Sequence, residues 1–364
     1  MIFQWQLFVL LLVVGIFVYL TGMQNTVNSY GQVEHRYALI PALAVAIPLI
    51  YLAGTRNDSI GDTHAYRTAF SEMPSTLSAI PGYLADQTKD KGFSVFSIII
   101  KVVIGNRDVI YFTIIAAICI LCVVLTYKKY SCNFIMSMFL FIASGDYIQW
   151  TFNGIRQFIA VSIIFASTGL ILKKKYIPAI VLILLLSTIH ASALVMIPII
   201  FIVQGQAWNK KTVALLVAAI FAITFVDQFT DFLTTIMENT QYSSEVDQFL
   251  NAEGTNILRV IVYSIPAIIS LLFYKRIRTI NNPLINLCIG MSIATMGGYL
   301  AASVTNGIFV GRISSYVSLY NYILLPWEIE NIFTKRSAML LYVLMIGFYM
   351  LFYYYQMHIT WGLS

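Results

Sequence analysis

Apolar runs long enough to enter a bilayer recur from one end of this chain to the other, and they leave few architectures open. Hydrophobic residues fill 59% of the 364 positions, and mean hydropathy is +0.80. A hydrocarbon core of about 30 Å takes about 20 apolar residues as a helix, and lipid tolerates only helices or closed barrels as spanning structures. The runs here are continuous instead of alternating, which disfavours a β-barrel. The chain therefore reads as an all-α, polytopic transmembrane helical bundle. Its apolar start, residues 2–19, lacks a basic flank and a small-residue cleavage site, so it reads as a retained first span and not a signal peptide.

Spans are expected at about 2–20, 37–53, 109–126, 134–143, 152–172, 177–187, 191–203, 212–226, 257–274, 284–302, 313–326 and 337–355, which makes about 12. Basic clusters orient them. Lys128 with Lys129, Lys173 to Lys175, Lys210 with Lys211, Lys275 to Arg278, and Lys335 with Arg336 all stand at span ends, and His35 with Arg36 fits the same side. The positive-inside rule puts all of them in the cytoplasm, which leaves both chain ends outside. The net charge of +6 comes mostly from these clusters, so it is orientation information and points to no nucleic-acid partner. The chain reads as a single integral membrane domain over 1–364, with external loops at 54–108 and 227–256.

Two stretches strain a simple count of spans. Residues 93–105 are too short to cross and carry Lys101, so an interfacial or re-entrant helix on the external face is expected. Residues 176–203 are about 42 Å long as one helix, too short for two full spans. A hairpin of two short helices turning at 187–192 is preferred, because one long helix would invert every basic cluster after it. Broken backbone at membrane depth survives only beside protein or a water-filled cavity, so His190 at this turn points to function. In the second loop, the pattern FTDFLTTIM reads either as a surface-lying amphipathic helix or as part of a solvated linker.

Charge is scarce, at 10% of residues, yet Thr55 to Phe70 gathers Arg56, Asp58, Asp62, His64 and Arg67. This polar island reads either as a solvated loop or as part of a site for an anionic, sugar-bearing lipid. Arg107, Asp146, Arg156, His190 and Arg312 join it on the external side once the topology is set. Guanidinium forks match phosphate oxygens bidentately, so converging arginines suit a diphosphate, whereas a single one is explained by snorkelling. The four cysteines suggest neither a disulfide framework nor a metal site; Cys119 and Cys122 form a mid-span pair that reads as packing. No cluster has divalent-ligand spacing, and no metal or cofactor is expected.

GDTHAYRTAF at 61–70, NGIRQFIA at 153–160, STIHASAL at 187–194 and GRISSY at 311–316 resemble, in order and interval, the motifs of Wzy-type bacterial polysaccharide polymerases of the EpsG-like branch. The resemblance covers most of the chain. One departure concerns the acid that often precedes the Gly-aromatic pair in that family, since Lys91 stands there and Asp90 lies one step back. The resemblance implies a metal-independent glycosyltransferase with a GT-C-like fold in the bacterial inner (plasma) membrane, its active site facing the periplasm or outside. It would polymerise oligosaccharide repeat units carried on undecaprenyl diphosphate, with a flippase and a chain-length regulator as partners beside membrane lipid. The lipid diphosphate of the growing chain leaves as a hydroxyl of the next lipid-linked unit attacks.

That reaction mainly needs diphosphate charge stabilised, for which Arg156 and Arg312 with Arg56 and Arg67 are the candidates. The attacking hydroxyl takes His190 or Asp62 as general base, although Asp62 equally suits a capping or Arg-pairing role. Tyr66, Gln157 and Tyr316 are the sugar-binding candidates, and Tyr147 and Trp150 serve sugars or a membrane-interface belt alike. Two other readings stay open. A flippase of lipid-linked oligosaccharide predicts repeats and midplane charges, whereas the unexplained charge here is one-sided. A lipid-linked glycan ligase differs only in its acceptor.

Overall fold

A computed structural model of the protein describes residues 6–9, 12–13, 15–16, 20, 23–27, 31, 33–238, 254–305, 307 and 309–361. The fold is nearly all-α. The exception is an antiparallel pair of strands, Met23–Val27 with Val33–Tyr37, in the register Met23↔Tyr37 and Val27↔Val33. The expected His35 and Arg36 anchor lies in the second of these strands, and the following helix begins at Leu39.

Three described helices are long and apolar enough to cross a membrane: Asp108–Tyr130, Pro283–Val304 and Lys335–Thr360. A fourth counts if Ile257–Leu272 and Tyr274–Ile280, bent by 76°, are one span. The other expected crossings are short helices, and the breaks have local causes. The run 152–172 is cut by the turn at Asn153–Gly154, where Gly154 has φ +87°, and again at Ser167. The run 313–326 falls into the helices Phe309–Ile313, Ser315–Ser318 and Asn321–Ile332. Most of the expected first span, and 239–253 of the second external loop, lie outside the described residues. The FTDFLTTIM pattern sits within one helix, Val226–Glu238.

Helix starts follow ordinary capping chemistry. Asn133, Asn209, Asn256, Asn282 and Thr334 each accept a first-turn backbone N–H with their side chains, satisfying donors that the helix cannot. Asp108–Tyr130 has an acid in its first turn and Lys128 and Lys129 in its last, both favourable to the helix dipole.

The chain forms two compact units. The first comprises 1–169, 181–193 and 329–364; the second comprises 170–180 and 194–328. In the first, the Leu39–Gly54 helix packs along Asp108–Tyr130, which also packs on Ile155–Ala166. In the second, Pro283–Val304 is the central helix, with Ile257–Leu272 and Lys210–Thr224 against it. Small residues let backbones close up there: a Cβ on Gly290 would stand 3.0 Å from the Val203 Cβ.

The 176–203 segment is a hairpin. Its helices, Tyr176–Ser187 and Met196–Ile202 preceded by the 3₁₀ turn Ala191–Val195, are separated by Thr188–His190. Tyr176, at the start of the first, stacks on Phe201 near the end of the second, ring centroids 4.7 Å apart. The chain therefore reverses between them.

Lys91–Ile104 is a helix of 14 residues, about 21 Å long at 1.5 Å per residue and too short to cross alone. Lys101, which marked it as unusual, is buried and spoken for. Its ammonium donates to the carbonyls of Phe70, Ser71 and Met73 at 2.8, 2.8 and 2.6 Å. These are the acceptors left over where the Thr63–Glu72 helix stops, so a lysine on one helix caps the end of another.

Candidate functional site

Three of the four quoted motifs meet in the first unit, and each meeting depends on a glycine. Gly61 has φ +57°, and a Cβ there would come within 2.2 Å of the Asn153 Oδ1. Next to it the Asp62 N–H donates to the Phe152 carbonyl at 3.1 Å, so the GDTH loop lies on the NGIR turn. Gly92 N–H donates to the Thr188 carbonyl at 2.8 Å, and a Cβ on Gly92 would stand 2.1 Å from the Thr188 Oγ1. This brings the start of the Lys91–Ile104 helix onto the STIH tip. Residues about a hundred positions apart in sequence are thus fixed by backbone contact before any side chain is considered.

Asp90 stands where these loops converge. Its backbone is left-handed, φ 53° and ψ 39°, and its side chain makes no capping bond to the helix that it precedes. The residue is 6% exposed, yet carries a carboxylate. Burying such a charge is costly unless it is paired. Arg156 Nη1 donates to Asp90 Oδ2 at 2.7 Å, and His190 Nδ1 lies 3.5 Å from Oδ1. Arg156 Nε donates to the Tyr66 hydroxyl at 3.2 Å, and its guanidinium stands 5.8 Å from the Tyr66 ring centre and 6.0 Å from that of Phe93. One residue from each of the three motifs therefore surrounds an aspartate that belongs to none of them.

A cavity of about 380 Å³ opens over this group. Asp62, Tyr66, Asp90 and Arg156 are among its walls, with Lys89, Tyr83 and Phe93 from the stretch 80–93. Burial, with the Glu72 carboxylate second, raises the Tyr83 phenol above its ordinary pKa, which keeps it a neutral hydrogen-bonding group. His190 is not a wall residue of the cavity; it backs Asp90.

The other predicted residues have different surroundings. Arg56 is 4% exposed and donates to the carbonyls of Ala53 and Thr151. Its guanidinium is sandwiched 4.6 Å from the Phe112 ring centre and 4.8 Å from that of Phe152. Burial lowers its pKa to about 10, so it is still a cation at neutral pH. Arg67 pairs with Asp58 and, through Nε at 2.6 Å, with Asp108. Neither guanidinium lies on the wall of the cavity.

Gln157 is buried in the Ile155–Ala166 helix. Tyr147 donates to the Leu49 carbonyl at 2.7 Å and so ties its helix to Leu39–Gly54, whereas the bond from Trp150 Nε1 to Asp146 Oδ1 at 3.2 Å lies within the one helix Asp146–Phe152. Arg312 and Tyr316 belong to the second unit, where Arg312 is exposed and Tyr316 is buried. That unit also buries Glu328 completely, and neither carboxylate oxygen has a hydrogen-bond partner among the described residues. Among the described residues, no three His, Cys, Asp or Glu side chains gather as metal ligands.

Sequence reasoning set Asp90 aside because it stands one residue before the position where an acid resembled the family pattern. The usable signal was an aspartate two residues before a glycine, at the head of a short amphipathic helix that carries an otherwise unexplained lysine.

Residues 39–361 match the model of the EpsG family. No curated protein and no solved structure matches the chain.

Proposed function

The chain belongs to the EpsG family, a Wzy-like family of polysaccharide polymerases, and from that premise we propose that it joins undecaprenyl-diphosphate-linked repeat units at the outer face of the bacterial plasma membrane. The observation that carries the reading is the convergence of three distant motifs around Asp90, two of which line one cavity through Tyr66 and Arg156. A GT-C-like bundle of about 12 crossings belongs to the same proposal.

In the reaction, the C1–O bond between the growing glycan and its lipid diphosphate breaks, and the diphosphate leaves with the electron pair. A hydroxyl of the next unit forms the new bond to C1 and gives up its proton. Asp62 is the residue placed to take it, since its carboxylate is exposed on the cavity wall. His190 then acts as a positioning residue, holding Asp90 against Arg156. Arg312, an exposed guanidinium within the fourth motif, is the second unit's candidate for the diphosphate. No step in this scheme is routed through a metal ion.

The test is glycan length, read as a gel ladder in cells that lack the protein and are complemented at matched membrane levels. Wild type restores the ladder, whereas Asp62→Asn, Arg156→Ala and Arg312→Ala leave single repeat units on the outer-face lipid. Accumulation of single units on the cytoplasmic face would replace the polymerase reading with that of a transporter.

A further inference from the structure

Building on the polymerase reading, we propose that the cavity over Asp90 holds a sugar ring of the acceptor glycan and not a diphosphate. Charge is the first argument. The charged wall residues among those described are Asp62 and Asp90 against Lys89 and Arg156, and their formal charges cancel. A diphosphate diester brings two negative charges into a pocket with no positive excess and meets the Asp62 carboxylate. Like charges repel more strongly in a partly enclosed pocket than in bulk water.

The geometry of Arg156 is the second argument. Its Nη1 is engaged by Asp90 and its Nε by Tyr66, so two points of the fork are committed to the protein. Bidentate capture of a phosphate needs two donors side by side. Displacing Asp90 to free them would strand a buried carboxylate, which costs more than a surface ion pair returns.

The third argument is the character of the remaining wall. Tyr66 and Phe93 stand edge to face, ring centroids 6.0 Å apart, and Tyr83 adds another ring. A sugar ring has C–H faces that lie on aromatic rings, and hydroxyls that both donate and accept. Asp62 accepts, Lys89 donates, and the Ser94 hydroxyl does either. A volume of about 380 Å³ lies near the lower end of the range for small-molecule sites, about 300–1,000 Å³, and suits a short saccharide. An acceptor sugar seated here has its hydroxyl beside the carboxylate that takes its proton.

The full chain in lipid nanodiscs tests this by calorimetry with two probes: the repeat-unit oligosaccharide released from its lipid by mild acid, and inorganic pyrophosphate. The oligosaccharide is expected to bind wild type, with affinity at least about tenfold weaker in Tyr66→Ala and Asp62→Asn, and within about threefold in Tyr66→Phe, which keeps the ring. Pyrophosphate is expected not to compete. Competition by pyrophosphate that disappears in Arg156→Ala would overturn the assignment, as would absent oligosaccharide binding, or binding indifferent to Tyr66 and Asp62. Because binding is read without turnover, these results are separable from the glycan ladder: a restored ladder with pyrophosphate in the cavity removes this inference and leaves the polymerase reading intact.

Discussion

Two arginine environments in the first unit, built from the same residue type within one fold, do opposite jobs. Around Arg56 and Arg67 the protein closes on the cation: carbonyls of Ala53 and Thr151 and rings of Phe112 and Phe152 on one, carboxylates of Asp58 and Asp108 on the other. Arg156, which meets Asp90 and Tyr66, lies instead on a cavity wall. The two environments thus differ in whether the guanidinium borders a cavity. Away from it, the arginine is a strut that fixes the GDTH loop to the helices beneath it. On the cavity wall, the arginine is a candidate to meet a ligand.

The sharpest way to break this contrast is Arg56→Ala. It removes a buried cation that satisfies two carbonyls and fills the gap between two aromatic rings. Loss of one partner from a buried charged network costs about 3–5 kcal/mol, and the thermal midpoint of the detergent-solubilised protein is expected to fall accordingly. A variant that keeps wild-type stability yet loses polymer would move Arg56 from strut to site.

Arg156→Ala tests the other half. Polymer synthesis per folded molecule is expected to fall about 100-fold, or about 2.7 kcal/mol of transition-state stabilisation, with a smaller loss of stability than Arg56→Ala. Arg156→Lys is not expected to rescue, because an ammonium cannot reach Asp90 and Tyr66 with one planar fork. Asp90→Asn and Arg156→Ala act through one ion pair, so their combined effect on activity is expected to be well below the sum of the separate ones. Additive losses would separate Asp90 from Arg156 and dissolve the group.

Lys101→Met extends the comparison to a different cation of the strut type. It is expected to cost about 2–3 kcal/mol, since three carbonyls at the end of the Thr63–Glu72 helix lose a charged donor, while glycan chain length in surviving protein stays as in wild type. A shortened ladder at full stability would bring the Lys91–Ile104 helix into the chemistry.

The contrast between strut and site was only partly legible in the sequence. Hydropathy identified a helical membrane protein, and the conflict between segment length and basic clusters predicted the hairpin at 176–203. Motif order identified the family. Hydropathy cannot see where a run breaks, because the Asn153–Gly154 turn and the bend after Leu272 depend on single backbone conformations within apolar surroundings. It also missed the β-pair before Leu39. Of the residues singled out in the sequence, Asp62, Tyr66 and Arg156 share one cavity. Arg56 and Arg67 carry the same formal charge in the same loop as the site, and only their partners, Thr151 and Asp108, distinguish them. Both partners lie far along the chain. Asp90 was hidden because what marks it is its contacts with Arg156 and His190, which lie far along the chain.

Gly61→Ala carries the smallest expected effect and separates loop position from loop chemistry. At φ +57° a Cβ is strained, and here it would also meet the Asn153 Oδ1 at 2.2 Å and the Phe152 carbonyl at 2.8 Å. The GDTH loop must therefore lift from the NGIR turn, at a cost of about 1–3 kcal/mol in stability. Lifting moves Asp62 and Tyr66 together, whereas Arg156 stays on its own helix with Asp90. Binding of the released oligosaccharide is accordingly expected to weaken about as much as in Asp62→Asn, although every side chain of the cavity is still present. Asn153→Gly removes the side chain that the new methyl would strike, so adding it to Gly61→Ala is expected to restore part of the affinity. Restoration would place the effect in the packing of one motif on the other. A double variant no better than Gly61→Ala would place it in the strained backbone of residue 61 itself.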